Sequence, residues 1–123
     1  MKKIFLMFFG AIISSLGFAQ NNNFKSVSNE EFAKIIAQPN TQLIDVRTAS
    51  EYSTGHIGQA KNIDIKDASF STKINSLNPN YPVAVYCRSG ARSKIAAKKL
   101  AEKGFTVIDL DRGIMNWKGE VRK

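Results

Sequence analysis

One cysteine, Cys87, occurs among the 123 residues, inside the run Tyr86-Cys87-Arg88-Ser89-Gly90-Ala91-Arg92-Ser93. A thiol becomes a nucleophile as the thiolate, and positive charge or a helix N-terminus beside it favours that form. Arg88 and Arg92 supply positive charge within the run. Before it, Pro82-Val83-Ala84-Val85-Tyr86 is apolar, β-branched and aromatic, which predicts a strand. After it, Lys94 to Lys103 consists almost wholly of strong helix formers and is closed by Gly104. Cys87 is therefore expected at a strand tip, on a loop that runs into a helix N-terminus. Unpaired N–H groups and the positive end of the helix dipole converge there, and such a place binds anions. The chemistry this pattern predicts is a nucleophilic thiolate acting on a small anion. A buried, inert cysteine at a strand end is the alternative, and the flanking Arg, Ser and Gly argue against it.

Other elements must hold that loop. Phe24 to Val27 reads as a short first strand, and Ser28 with Glu31 has capping-box spacing for a helix whose apolar stripe is Phe32, Ile35 and Ile36. That helix ends near Pro39-Asn40. Leu43-Ile44-Asp45-Val46-Arg47 reads as the second strand, with Asp45 and Arg47 near its C-terminal end, where open α/β sheets place their ligand crevice. Ser50 or Thr48 caps a short helical turn through Glu51 and Tyr52. Gly55-His56-Ile57-Gly58 reads as a loop, Asn62 to Ile65 as a third strand, Phe70 to Leu77 as a weak helix and Asn78 to Pro82 as a turn. Phe105 to Leu110 is the fifth strand, with Asp109 and Asp111 at or just beyond its end and no task specified for either. Gly113 opens a last short helix, Ile114 to Lys118, which places Trp117 against the core. Alternating strands and helices imply a parallel sheet covered on both faces, with right-handed crossovers. Ala96, Ala97 and Ala101 allow the helix after the cysteine loop to pack closely on that sheet.

The length permits one domain. Lys2 and Lys3, the apolar run Ile4 to Ile13 and Gly17-Phe18-Ala19 predict a signal peptide over residues 1–19, cleaved after Ala19. The run is short of the roughly 20 residues of a membrane span, so no stable membrane anchor is expected. Residues 20–23 read as a polar tether and 24–123 as the domain. Cleavage leaves 104 residues, and the loss of Lys2 and Lys3 lowers the formal charge from +8 to +6. Lys94, Lys98, Lys99 and Lys103 form the solvated side of one helix, so nucleic acid is not the expected partner; small anions are. An unpaired cysteine in the expected exported, periplasmic setting implies a reactive role or an intermolecular partner rather than an internal disulfide.

The order of these pieces resembles the single-domain rhodaneses, a sulfurtransferase family. The matching residues are Leu43-Ile44-Asp45-Val46-Arg47, Glu51-Tyr52, Gly55-His56-Ile57, Ala60-Lys61-Asn62-Ile63, Val85 to Ser93, Gly104-Phe105, Gly113 and Trp117. The resemblance implies an α/β, rhodanese-like fold, with a five-stranded, mainly parallel sheet and helices on both faces. It implies sulfane sulfur transfer from a small anionic donor such as thiosulfate to cyanide or a thiol, through a persulfide on Cys87. No metal and no organic cofactor is implied, and a protein sulfur acceptor is a further possible partner. By the same resemblance, N–H groups from Arg88, Ser89, Gly90, Ala91, Arg92 and Ser93 curl around the sulfur as a nest. Gly90 permits the curl through positive φ. Arg88 and Arg92 orient the donor's sulfonate. Ser93 caps the helix or donates to the bound sulfur. Asp45 and Arg47 brace the loop, in a structural salt bridge with Glu51. His56 is expected to be a hydrogen-bonded structural residue rather than a base.

Two rivals remain. Cysteine-loop phosphatases and arsenate reductases also wrap an oxyanion, but phosphate chemistry of that kind needs Cys-x5-Arg. Here Cys87 and Arg92 form Cys-x4-Arg, and position 93 is serine. The other rival is a non-enzymatic persulfide carrier or binding module that docks to a partner protein.

Overall fold

The computed structural model describes residues 23–123. The signal peptide read over residues 1–19 and the tether up to residue 22 lie outside the described residues.

The elements in chain order are β1 (Lys25–Val27), α1 (Asn29–Ile36), β2 (Gln42–Asp45), α2 (Ala49–Ser53), β3 (His56–Ile57), β4 (Lys61–Asn62), α3 (Phe70–Lys73), β5 (Val83–Tyr86), α4 (Ala91–Glu102), β6 (Val107–Leu110) and β7 (Val121–Arg122). Single 3-10 turns follow α3 at Ile74–Ser76 and β6 at Ile114–Asn116. Five strands form one sheet in the order β1-β6-β5-β2-β4, and every pairing within it is parallel. The expected five-stranded α/β sheet is therefore present.

The strand that leads into the cysteine lies at the centre of that sheet. All four residues of β5 are buried, the pattern of a strand covered on both faces. Successive side chains alternate between faces. Val83, Val85 and Cys87 join one core cluster, with Ile44, Val46, Val107 and the Ala96, Ala97, Leu100 and Ala101 stripe of α4. Ala84 and Tyr86 join the other, with Val27, Phe32, Ile57 and Leu110. The three alanines of α4 are at most 5 % exposed, as close packing on the sheet requires.

Local chemistry fixes the helix starts. Ser28 caps α1, its Oγ accepting the Glu31 N–H at 3.3 Å. Of the two caps considered for α2, Thr48 is the one used, in a reciprocal capping box: Thr48 Oγ1 accepts the Glu51 N–H, and Glu51 Oε1 accepts the Thr48 N–H at 3.0 Å. A cap of this kind stabilises a helix by about 1 kcal/mol.

Several elements differ from the sequence reading. The segment read as a Gly-His-Ile-Gly loop contains β3, which pairs antiparallel with β7. Its partner lies 66 residues away in sequence (His56 with Arg122), so no local pattern announces the pairing. The third sheet strand is Lys61–Asn62, although Ile63 and Ile65 still donate to Asp45 and Val46. The helix after the cysteine begins at Ala91, three residues before the run of strong helix formers. Trp117 follows a 3-10 turn, is partly buried, and meets the Phe32 ring edge-on at 5.9 Å.

Candidate active site

Cys87 follows the last residue of β5 at the C-terminal edge of the sheet. It is 1 % exposed, as buried as the inert alternative would place it. The Gly90 N–H nevertheless points at its sulfur, 3.1 Å from Sγ. Gly90 sits at φ 111° as the N-cap of α4, so the chain turns back over the sulfur there. A Cβ at this position would lie 2.2 Å from the Asp111 carbonyl oxygen. Glycine is required both by the backbone angle and by the space.

The other side of the loop is anchored. The Cys87 and Arg88 carbonyls accept the Ile114 and Met115 N–H groups, each at 3.0 Å. A trans peptide directs N–H opposite to C=O, so these two bonds turn the Arg88 and Ser89 N–H groups away from the anchor. Gly113 allows the close approach, since a Cβ there would lie 2.2 Å from the Arg88 carbonyl oxygen. The first-turn N–H groups of α4, a twelve-residue helix, lack partners within the helix, and its dipole favours negative charge at this end. Of the amides from Arg88 to Ser93 expected around the sulfur, Gly90 makes the direct bond.

The two loop arginines are in different situations. Arg88 is exposed and its guanidinium has no partner among the described residues. Arg92 is half-buried, and its Nη1 and Nη2 donate to Glu51 Oε1 and Oε2 at 2.7 and 2.9 Å. The Arg92 bond holds the Glu51 carboxyl down to about 2, helped by the Thr48 bonds and opposed by partial burial. Glu51 in turn raises Arg92, and the charge of Cys87 adds to that effect. Glu51 was expected in a salt bridge with Asp45 and Arg47. It is instead committed to Arg92, because its place in the first turn of α2 aims it at the loop rather than at the strand below.

Asp45 and Arg47 pair with each other. Arg47 Nη2 donates to Asp45 Oδ2 at 2.7 Å, its Nε and backbone N–H also reach the carboxylate, and Nη2 donates to the Gly55 carbonyl. Burial alone would lower Arg47, but its bonds to Asp45 outweigh that and raise it. Tyr86 completes the group: its hydroxyl donates to Asp45 Oδ2 at 2.7 Å and accepts the Ile57 N–H at 2.9 Å. Burial, with the Asp45 charge, pushes the Tyr86 phenol up. This network ties β2, β5 and β3 together below the loop. His56 stacks on Tyr52 at 4.0 Å, with Nδ1 3.3 Å from the Tyr52 carbonyl, a structural setting.

Sequence reasoning assigned Asp109 no task. Asp109 is 0 % exposed, and Ser93, also 0 % exposed, donates to its Oδ1. The signal was available in the alternation of residues. Val107 shares a cluster with Val83, Val85 and Cys87, so Asp109, two residues on, faces the same side. Beside the loop lies a hollow of about 430 Å³ lined by Ser89, Asp111, Arg112, Met115 and Asn116. Among the described residues no cluster of three His, Cys, Asp or Glu could hold a metal ion.

Residues 28–120 match the model of the Rhodanese-like domain. The chain is 33% identical over 120 residues to the uncharacterized protein YqhL of Bacillus subtilis (strain 168), covering 97% of this chain and 91% of that protein. It is 29% identical over 97 residues to the thiosulfate sulfurtransferase GlpE of Shewanella oneidensis, covering 78% and 94%. The crystal structure of a rhodanese-related protein from Thermoplasma volcanium superimposes with a TM-score of 0.72 at 26% identity, covering 80% of this chain and 98% of that one.

Proposed function

The chain belongs to the rhodanese-like domain family, and from that premise we propose that it is a sulfurtransferase working through a Cys87 persulfide. The observation that carries the reading is the Gly90 N–H on Cys87 Sγ at the start of α4, which favours an anion at that sulfur. The similarity to a thiosulfate sulfurtransferase supports thiosulfate as a donor.

The Cys87 thiolate attacks the outer sulfur of thiosulfate. The bond between the two thiosulfate sulfurs breaks, its electron pair leaves with sulfite, and Cys87 keeps the outer sulfur as a persulfide. Cyanide or a thiolate then attacks that sulfur and the Cys87 thiolate is released. No external oxidant or reductant enters. Loop amides hold the negative terminal sulfur, and the unpartnered Arg88 attracts the donor. Arg92, fixed by Glu51, presents its remaining N–H groups as an aligned donor. The hollow beside Ser89 and Met115 is the approach for the acceptor. Export to the periplasm, inferred from residues 1–19, is part of this proposal.

Incubation with thiosulfate should add one sulfur atom to the wild-type protein and none to Cys87→Ser, read by intact-mass spectrometry. Addition of cyanide should then yield thiocyanate with the wild type alone. Hydrolysis of an aryl phosphate without thiocyanate formation would overturn the reading. Sulfur uptake that is released only to a protein thiol would make the chain a carrier instead.

A further inference from the structure

Asp109 is fully buried and has three side-chain partners, two serine hydroxyls and one ammonium. Its Oδ2 accepts from Ser26 Oγ at 2.7 Å and pairs with Lys94 Nζ at 3.0 Å. Its Oδ1 accepts from Ser93 Oγ at 2.5 Å. A serine hydroxyl has one proton to give. The Gly90 carbonyl is a second acceptor for it, but at 3.3 Å, so the carboxylate takes that proton. Ser93 Oγ is then left with lone pairs facing Cys87, whose S–H donates to it at 3.5 Å. The three groups form a directed line from thiol to hydroxyl to carboxylate, and all three are at most 1 % exposed.

We propose that Asp109 is a positioning residue that draws the proton of Cys87 through Ser93. As the S–H bond breaks, its proton passes to Ser93 Oγ, while the original Ser93 proton passes to Asp109 Oδ1. The products are a Cys87 thiolate, an intact Ser93 hydroxyl and a neutral Asp109 carboxyl. The number of charges in the pocket is unchanged. A thiolate formed by losing its proton to solvent would instead stand beside a second buried anion, an unfavourable arrangement. After the shift Ser93 donates to the sulfur rather than accepting from it, and so joins the Gly90 N–H in holding the anion.

The charged groups facing this line are Lys94 and Arg92 from α4, Asp111 beyond β6, and Glu51 from α2, which is bound to Arg92. Lys94 favours the ionised Asp109 and so opposes the shift. It is also shared with Asp111 and its side chain is 39% exposed, so solvent weakens its hold. Arg92 favours the thiolate, with which it interacts.

This inference rests on the thiolate reading above, but its test needs no sulfur donor. The lone thiol is titrated through its ultraviolet thiolate absorbance, with Cys87→Ser as the blank, and through its iodoacetamide alkylation rate against pH. The proteins are wild type, Asp109→Asn, Ser93→Ala, Ser93→Thr and the Asp109→Asn/Ser93→Ala pair. Asp109→Asn should raise the midpoint by about one unit, a tenfold loss of thiolate at lower pH. Ser93→Ala should do the same, Ser93→Thr should stay near wild type, and Asp109→Asn should add nothing to Ser93→Ala. A carboxylate acting only as a nearby charge would lower the midpoint when removed. That result, no change, or an Asp109→Asn effect that persists without the Ser93 hydroxyl would overturn the proposal. Melting curves show whether each variant folds. If Asp109→Asn does not, Lys94→Gln decides: freeing Asp109 of its cation should lower the midpoint through the relay, whereas groups acting only as nearby charges would raise it. Normal titration with no thiosulfate uptake would instead count against the sulfur donor.

Discussion

Two buried carboxylates flank the strand that bears the thiol, one on each neighbouring strand. Asp45 on β2 pairs in register with Tyr86, and Asp109 on β6 pairs with Val85. Both are 0 % exposed. They differ in the face of the sheet they occupy. Asp45 lies with Tyr86 on the side opposite the sulfur, where permanently charged Arg47 and the Tyr86 hydroxyl saturate it. Asp109 lies on the sulfur's side, where two of its partners are serine hydroxyls. A guanidinium does not give up its proton in a protein, whereas a hydroxyl can pass one along. The same residue type at similar depth is thus a latch on one face and a proton acceptor on the other. The period of two along a strand decides which.

The contrast can be broken first at the latch. Asp45→Asn leaves a buried Arg47 without its anion, and breaking such a pair costs about 3–5 kcal/mol. The melting temperature should fall by at least ~12 °C for a domain of this size. A stable Asp45→Asn variant would show that the latch is dispensable. Tyr86→Phe is milder. It removes one donor to Asp45 and leaves the Ile57 N–H unpaired, a loss of about 1–3 kcal/mol in urea unfolding. Sulfur uptake per folded molecule should be unchanged, because the lost hydroxyl faces away from the sulfur. A matching loss of thiol reactivity would blur the two faces. The smallest effect belongs to the pair at the rim. Glu51 stands at about 2 in the fold against an ordinary 4.5, so its stabilisation is present above pH 4.5 and is lost as the pH falls toward 2. The Glu51 and Arg92 side chains are 29% and 23% exposed, which limits the pair to under about 1 kcal/mol. Urea midpoints measured across that window should fall for the wild type and stay flatter for Glu51→Gln.

Strand, loop and helix around Cys87 were legible because each obeys a local rule: an apolar β-branched run, a glycine at a forced φ, and a run of helix formers. The parallel sheet followed from the alternation of elements. Partners set by register were not legible. Glu51 and Arg92 are 41 residues apart, as are Asp45 and Tyr86, and nothing in the local sequence says which acid takes which base. Asp109 was visible as a residue at a strand end, but its role depends on a neighbour supplied by another element. The short β3 and β7 were missed because each two-residue strand exists only through the other.

The strand order has a consequence for how the protein is made. β5 lies between β2 and β6, and β1 pairs with β6, so the edge nearest the start of the chain closes on the strand synthesised late. Parallel neighbours cannot meet until the helix between them exists. On the ribosome, Cys87 is therefore translated before Asp109, and Ser26, 83 residues ahead of Asp109, waits longer for that partner than Ser93, 16 residues ahead of it. The line of groups from Cys87 through Ser93 to Asp109 is therefore complete only once translation has passed residue 109 and β6 has joined the sheet.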